Sequence, residues 1–239
     1  MIMSNENNTA LNDIIQAVVD ANRILAREGV LDGYGHVSAR HPDHPERFLL
    51  SRSLAPELVT AADIMTFDLD SNLLGDTRQP YLERFIHGEI YRRRPDVRAV
   101  VHSHAPAVVP FAASSVRMKP IYHMSSFLGE GPAVWDIRKC FGCTDMLVTN
   151  NEQGRSLAEA LGKDNVALMR GHGFVTVGDT VPLAVYRAVY TELNAKLQAS
   201  AIALGGSVTY LEPDEAAQSD AKNRTTIGRP WQLWRRKIA

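Results

Sequence analysis

A chain of 239 residues, 45% of them hydrophobic, is long enough for one large domain with a substantial core. Its formal charge of −1 supplies no field that would draw it to nucleic acid or to an acidic membrane surface, which leaves a small molecule as the expected partner. The N-terminus is polar where a signal peptide would be basic and then apolar, and no later run is apolar for long enough to span a membrane, so a cytoplasmic protein is expected.

Residues 1–9 are expected to be disordered. From Leu11 to Glu28 apolar residues recur at helical spacing (Ile14, Ile15, Val18, Ala21, Ile24, Leu25), with Gly29 as the stop. Glycines at 33 and 35 then predict a tight turn entering a strand at His36-Val37-Ser38-Ala39-Arg40, and Phe48 to Ser51 predicts a second strand. A further strand is expected at Ile64 to Leu69. A helix follows Pro80, with Glu83, Ile86, His87 and Ile90 along one stripe and three arginines at its C-terminal end. A carboxylate on an apolar stripe needs a partner, although a surface acid near a helix N-terminus is the plainer reading.

Val97 to His104 reads as a buried strand ending in His102-Ser103-His104. Side chains alternate along a strand, so both histidines point the same way and form half of a metal site, or else an ordinary polar strand end. Beyond it come a short helix at Ala105 to Ala113, a strand at Met118 to Tyr122, a loop at Gly129 to Asp136 and a short strand at Met146 to Val148. A helix at Glu152 to Leu161 is capped by Asn150 or Asn151. Two strand segments between Asn165 and Gly178 break at Gly171-His172-Gly173, where small neighbours leave the imidazole free to approach a ligand. The longest helix spans Val181 to Leu204. Residues 207–239 form a C-terminal tail whose Trp231 and Trp234 dock on their own core or on a neighbouring subunit; docking at a subunit interface is the expectation. Cys140 and Cys143 have no second pair to complete a metal knuckle and read as inert thiols in a turn. No linker divides residues 1–239.

Taken together, one glutamate, a His-x-His pair and a Gly-His-Gly in this order resemble the class II aldolase/adducin family. The resemblance rests on Gly33 to Arg40, on Glu83 to His104 and on Gly171-His172-Gly173, and with the spacers it covers most of residues 10–205. It implies an α/β chain, a three-layer α/β/α fold with a central, mainly antiparallel sheet. It also implies a homotetramer with active sites between subunits, and one divalent metal ion per subunit held by His102, His104 and His172. Glu83 is implied as the fourth ligand or as an acid/base that swings off when substrate arrives. Zn²⁺ suits such a set, and Mn²⁺, Fe²⁺ or Co²⁺ fit it too.

Departures from the family pattern narrow the substrate. Sugar-phosphate aldolases of the family hold phosphate with small donors and open backbone, where this chain has His36, Ser51-Arg52-Ser53-Leu54 and Tyr81-Leu82. Arg52 can grip a carboxylate in a two-pronged way, while Tyr81 and Leu82 can line a flat wall. The variant looks like the branch that decarboxylates hydroxylated aromatic or pyridine dicarboxylates. Glu83, with His36 second, is the expected proton donor; Ser51, Arg52, Tyr81 and His123 are the expected substrate contacts, His123 having a structural role as its alternative. His41, His44 and His87 read as surface or turn residues. The competing functions are aldol cleavage of an unphosphorylated hydroxy-keto acid or sugar, and an adducin-like scaffold, which the four occupied ligand positions argue against.

Overall fold

The computed structural model describes residues 2–239, with side chains from Thr9 onward. Helix α1 (Ile2–Arg27) buries Val18, Ala21, Ile24 and Leu25, one face of a 3.6-residue period, and Gly29 ends it with φ +72°. Residues 2–9, expected to lack order, continue this helix, since nothing from Ile2 to Thr9 is a proline or glycine that would break it; Met1 lies outside the described residues.

Strands β1 (His36–Arg40), β2 (Arg47–Ser51), β3 (Ile64–Asp68) and β4 (Leu73–Leu74) form an antiparallel meander. A 3₁₀ turn at Leu82–Arg84 leads into α2 (Phe85–Arg93), and β5 (Ala99–Ser103) then pairs antiparallel with β1. After α3 (Val109–Ala113), the short strand β6 (Ala133–Trp135) and helices α4 (Ile137–Phe141) and α5 (Asn151–Leu161), the chain returns as β7 (Val166–Met169) and β8 (Gly173–Gly178). Asn150 caps α5 by accepting from the Gln153 N–H. The eight strands lie in the order β4-β3-β2-β1-β5-β8-β7-β6, with β6–β7 the single parallel pair. Helices α6 (Val181–Ala203), α7 (Pro213–Arg224) and α8 (Gly228–Ile238) complete the chain. The sheet is central and mainly antiparallel, as the family resemblance implied.

Two apolar cores cover the two faces of the sheet. Val37, Ala39, Ala99 and Val101 pack with α1, α3, α6 and α8, while Val100 and Phe48 pack with α2 and α5. Register places His36 opposite His102 and Ser38 opposite Val100, so His36, Ser38 and His102 share the α2 face. That placement brings the polar residues of two neighbouring strands under one helix.

Three elements differ from expectation. Met118 to Tyr122 is extended but joins no strand, because two amides one helical turn apart on α6 take the place of a neighbouring strand. The Asn194 amide accepts from the Ile121 N–H at 3.0 Å and donates to the Lys119 carbonyl at 2.9 Å. Gln198 accepts from the Lys119 N–H at 3.0 Å and donates to the Arg117 carbonyl at 2.9 Å. Met146 to Val148 is likewise no strand, and Ala133–Trp135, expected in a loop, is β6, which exists only through its pairing with β7. Cys140 and Cys143 are exposed free thiols.

The tail packs on its own chain. Trp234 is 5% exposed and lies 6.4 Å, centroid to centroid, from Tyr190 of α6. Arg235 Nε donates to Asp20 Oδ2 of α1 at 2.6 Å. Trp234→Ala is therefore expected to cost about 3 kcal/mol of folding stability, read as an earlier urea midpoint. Among the described residues no helix is long and apolar enough to cross a membrane.

Candidate metal centre and substrate cleft

Where β5 leaves the sheet, three stretches of chain bring four side chains together. His102 is the penultimate residue of β5 and His104 follows one residue beyond it, so strand alternation sends both rings to one side. Glu83 comes from the 3₁₀ turn ahead of α2, with φ −90° and ψ 21°, and His172 from the turn between β7 and β8. His102 Nε2 and His172 Nε2 each lie 3.0 Å from His104 Nε2. Glu83 Oε2 stands 3.4, 4.0 and 3.5 Å from the Nε2 atoms of His102, His104 and His172.

The turn carrying His172 depends on its two glycines in different ways. Gly171 has φ +65°, a conformation that favours glycine. Gly173 is pressed against the end of β5: a Cβ there would stand 2.0 Å from the Ser103 carbonyl oxygen and 2.9 Å from His104 Cα. The second glycine thus lets His172 meet His104 rather than giving the ring room.

Backbone atoms aim the ligands. His102 Nδ1–H donates to the Phe174 carbonyl at 3.2 Å and His172 Nδ1–H to the Met146 carbonyl at 3.0 Å, which leaves both Nε2 lone pairs facing the centre. The Val148 N–H donates to Glu83 Oε1 at 3.0 Å, so Oε2 faces inward. Burial alone would raise the Glu83 carboxyl, but the hydrogen bonds and charge of His102 and His172 outweigh it and hold it well below the usual carboxylate range. Burial works to lower His172, yet the Glu83 carboxylate lifts that imidazole above its ordinary value. His104 is pushed down to about 4 by burial and then by the neighbouring imidazoles. Any proton on these Nε2 atoms would compete with a cation for the same lone pairs.

Three inward lone pairs and a carboxylate oxygen, all within 4.8 Å of one another, form a donor set that could hold a divalent metal. Ligand atoms about 2.0–2.1 Å from one ion stand roughly 3.3 Å apart in a tetrahedron, a spacing this cluster matches closely.

Glu83 and His104 of the cluster line a cleft of about 560 Å³, together with residues that include Tyr34, His36, Leu54, Tyr81, Leu82 and Leu147. His36 is buried, with its ring 5.2 Å from that of His102 and 4.6 Å from that of Tyr81; burial, then His87 and His102, push its pKa well below the ordinary value. The Tyr81 ring faces the cleft while its hydroxyl donates to the Leu54 carbonyl and accepts from Ser51 Oγ at 3.3 Å. Ser51 is therefore a buried support behind Tyr81 and does not line the cleft.

Two expected contacts lie elsewhere in this chain. Arg52 Nε donates to Asp63 Oδ1 at 2.7 Å, and Asp63 is itself fixed by the Thr60 N–H and hydroxyl, so the guanidinium is held away from the cleft lining. His123 is exposed at the head of a 3₁₀ turn, and its carbonyl accepts from Ser219 and Asn223 of α7. His41 and His44 do sit in a turn, but His87, expected at the surface, is fully buried with Nε2 2.6 Å from His36 Nδ1. Its place on the stripe with Glu83, Ile86 and Ile90 was the signal for that burial. Tyr34, which the sequence marked only as part of a turn, is exposed at the mouth with its ring 6.1 Å from that of His104.

Comparison with known proteins agrees with this geometry. Residues 16–199 match the class II aldolase and adducin N-terminal domain. Decarboxylase tropJ of Talaromyces stipitatus is 35% identical over 248 residues, covering 94% of this chain and 93% of the relative. The 3,4-dihydroxyphthalate decarboxylase of Arthrobacter keyseri is 31% identical over 215 residues, 85% of this chain and 84% of its own. Among solved structures, L-fuculose 1-phosphate aldolase from Glaciozyma antarctica superposes with a TM-score of 0.80 over 97% of this chain and 90% of that one, at 22% identity, a likeness of fold. The protein is an enzyme, a lyase, and it belongs to the class II aldolase/adducin family, in the branch of its relatives named as decarboxylases.

Proposed function

We propose that the protein is a metal-dependent decarboxylase of a hydroxylated aromatic or pyridine dicarboxylate, of the dihydroxyphthalate or hydroxymethylpyridine dicarboxylate type. The observation that carries this reading is a three-histidine, one-glutamate cluster at the floor of a cleft walled by Tyr34, Tyr81, Leu54 and Leu82, a flat and largely apolar slot. The relatives named as decarboxylases support it.

His102, His104, His172 and Glu83 would hold one divalent ion, Zn²⁺ or Mn²⁺ foremost, with Fe²⁺ or Co²⁺ suiting the same donors. Such an ion supplies positive charge for the oxygen on which electrons gather as CO₂ departs. The bond to the carboxyl carbon breaks with its electron pair left on the ring, and a proton takes the vacated position. Glu83 is the donor, because the three imidazoles must stay unprotonated at Nε2 to hold a cation. Away from His102 and His172, the Glu83 carboxyl loses the contacts that keep its pKa low, and burial then raises it, so that Oε2 can carry a proton. Tyr34, Tyr81 and Leu82 take the faces of the ring and exclude water. Among the described residues lining the cleft there is no Lys or Arg, so a second carboxylate falls to a neighbouring subunit of the expected homotetramer.

The test is product analysis. Metal-loaded protein is incubated with a panel of hydroxylated phthalates and pyridine dicarboxylates and, separately, with unphosphorylated hydroxy-keto acids. CO₂ from at least one diacid, lost on chelation and restored by a divalent ion, is the expected result. Pyruvate or an aldehyde from the keto acids, with no CO₂ from any diacid, would assign aldol cleavage instead.

A further inference from the structure

Behind His36 a line of polar groups runs from the cleft into the core between β1 and α2. His36 Nδ1 lies 2.6 Å from His87 Nε2, His87 Nδ1 lies 2.6 Å from Ser38 Oγ, and Ser38 Oγ lies 2.8 Å from the Tyr91 hydroxyl. The two elements match in rise, since two residues along a strand span about 6.6 Å and four along a helix about 6 Å. None of the four residues is more than 3% exposed. None of the four belongs to the cluster of Glu83, His102, His104 and His172.

Burial favours neutral imidazoles, so each of the four groups has one proton to place along three bonds. Two directions are available. In one, Tyr91 donates to Ser38, Ser38 to His87 Nδ1, and His87 Nε2–H to His36 Nδ1, which leaves the His36 proton on Nε2. In the other, every bond is reversed, and the Tyr91 proton must find an acceptor beyond Ser38. Among the described residues the Tyr91 hydroxyl has Ser38 Oγ as its hydrogen-bond partner. The reversed line therefore strands a phenolic proton in the core, and an unmade bond at a buried donor costs more than a made one is worth.

We propose that His87 is a positioning residue: the Tyr91, Ser38 and His87 line holds His36 as its Nε2–H tautomer, so that His36 offers the cleft a fixed hydrogen-bond donor to a substrate oxygen and not a base. A neutral ring donating to a developing negative charge stabilises it without a proton changing hands. This role supplements the proton donor at Glu83 and takes His36 out of proton transfer. It rests on the cleft being the substrate site only for what the donor meets; the tautomer itself does not depend on the reaction.

Neutron diffraction from crystals of the full-length, zinc-loaded protein in heavy water reads the tautomer directly. Deuterium is expected on Nε2 of both His36 and His87 and on neither Nδ1. Tyr91→Phe keeps this pattern, because Ser38 still has its own proton and His87 Nδ1 is then its remaining acceptor. Ser38→Ala frees His87 Nδ1 and splits the deuterium at His36 between its two nitrogens, whereas His87→Gln, whose amide nitrogen can still donate to Nδ1, keeps it on Nε2. Phthalate, titrated as a carboxylate probe, is expected to bind the Ser38→Ala protein about tenfold more weakly than the unsubstituted one. Deuterium on His36 Nδ1 in the unsubstituted protein, or an unmoved pattern in Ser38→Ala, overturns the proposal. A phthalate that binds neither protein, with the tautomer as stated, counts against the decarboxylase reading and leaves the line intact.

Discussion

Glu83→Gln is expected to lower turnover by roughly two to four orders of magnitude while the protein stays folded and keeps part of its metal. The amide has the size of the carboxylate, and its oxygen can still accept the Val148 N–H that holds Oε1 at 3.0 Å. The three imidazoles and their backbone partners are untouched. What disappears is the negative charge at Oε2 and the ability of that atom to carry a proton. Metal content measured beside CO₂ release separates the two losses. A variant that holds metal less tightly but turns over normally when saturated would limit Glu83 to ligation, and near-normal decarboxylation without saturation would remove it from the mechanism.

Gly173→Ala is expected to cost about 3 kcal/mol or more and to empty the metal centre along with the fold it damages. The added Cβ meets the Ser103 carbonyl oxygen at 2.0 Å and His104 Cα at 2.9 Å, both backbone, so β8 must part from the end of β5. Separating those strands moves His172 away from His104. Gly171→Ala makes the useful contrast. Its Cβ meets only the flexible end of Met146, at 3.2 Å, and its cost is the φ of +65°, about 1 kcal/mol. Thermal unfolding and metal occupancy of the two variants, side by side, check both statements. Equal melting temperatures would mean that the close approach at Gly173 is relieved without cost.

The ligand set was readable because each member carried a local sign: two histidines in alternation on an apolar strand, a carboxylate on an apolar stripe, and a histidine between glycines. The sheet was readable for a similar reason, since β2, β3, β5, β7 and β8 are largely apolar runs and β1 an alternating one, bounded by turn residues. What failed needed a partner distant in sequence. Arg52 looked available because nothing nearby in the chain announces that Asp63 folds back onto it. Met118 to Tyr122 has the pattern of a strand, but its hydrogen bonds go to the side chains of Asn194 and Gln198 and to the Leu211 N–H, more than 70 residues on. His123 follows that segment, and its side chain is exposed. His87 differs, because the stripe it shares with Ile86 and Ile90 already places it against the core, where a polar ring needs a partner.

The outer support of the metal centre has a consequence for how freely its surroundings can change. The atoms that aim His102, His172 and Glu83 belong to the main chain at Phe174, Met146 and Val148. Main-chain atoms survive almost any substitution, so Leu147 can change, and reshape the wall of the cleft, without disturbing these hydrogen bonds, whereas its neighbour Val148 is fully buried in the core with Ile86 and Leu157. A second constraint is one of path: Met146 has φ +71°, which a β-branched residue takes up only under strain, so that position resists valine, isoleucine and threonine. The cleft wall at Leu147 can therefore change while the four side chains that could hold an ion stay where they are.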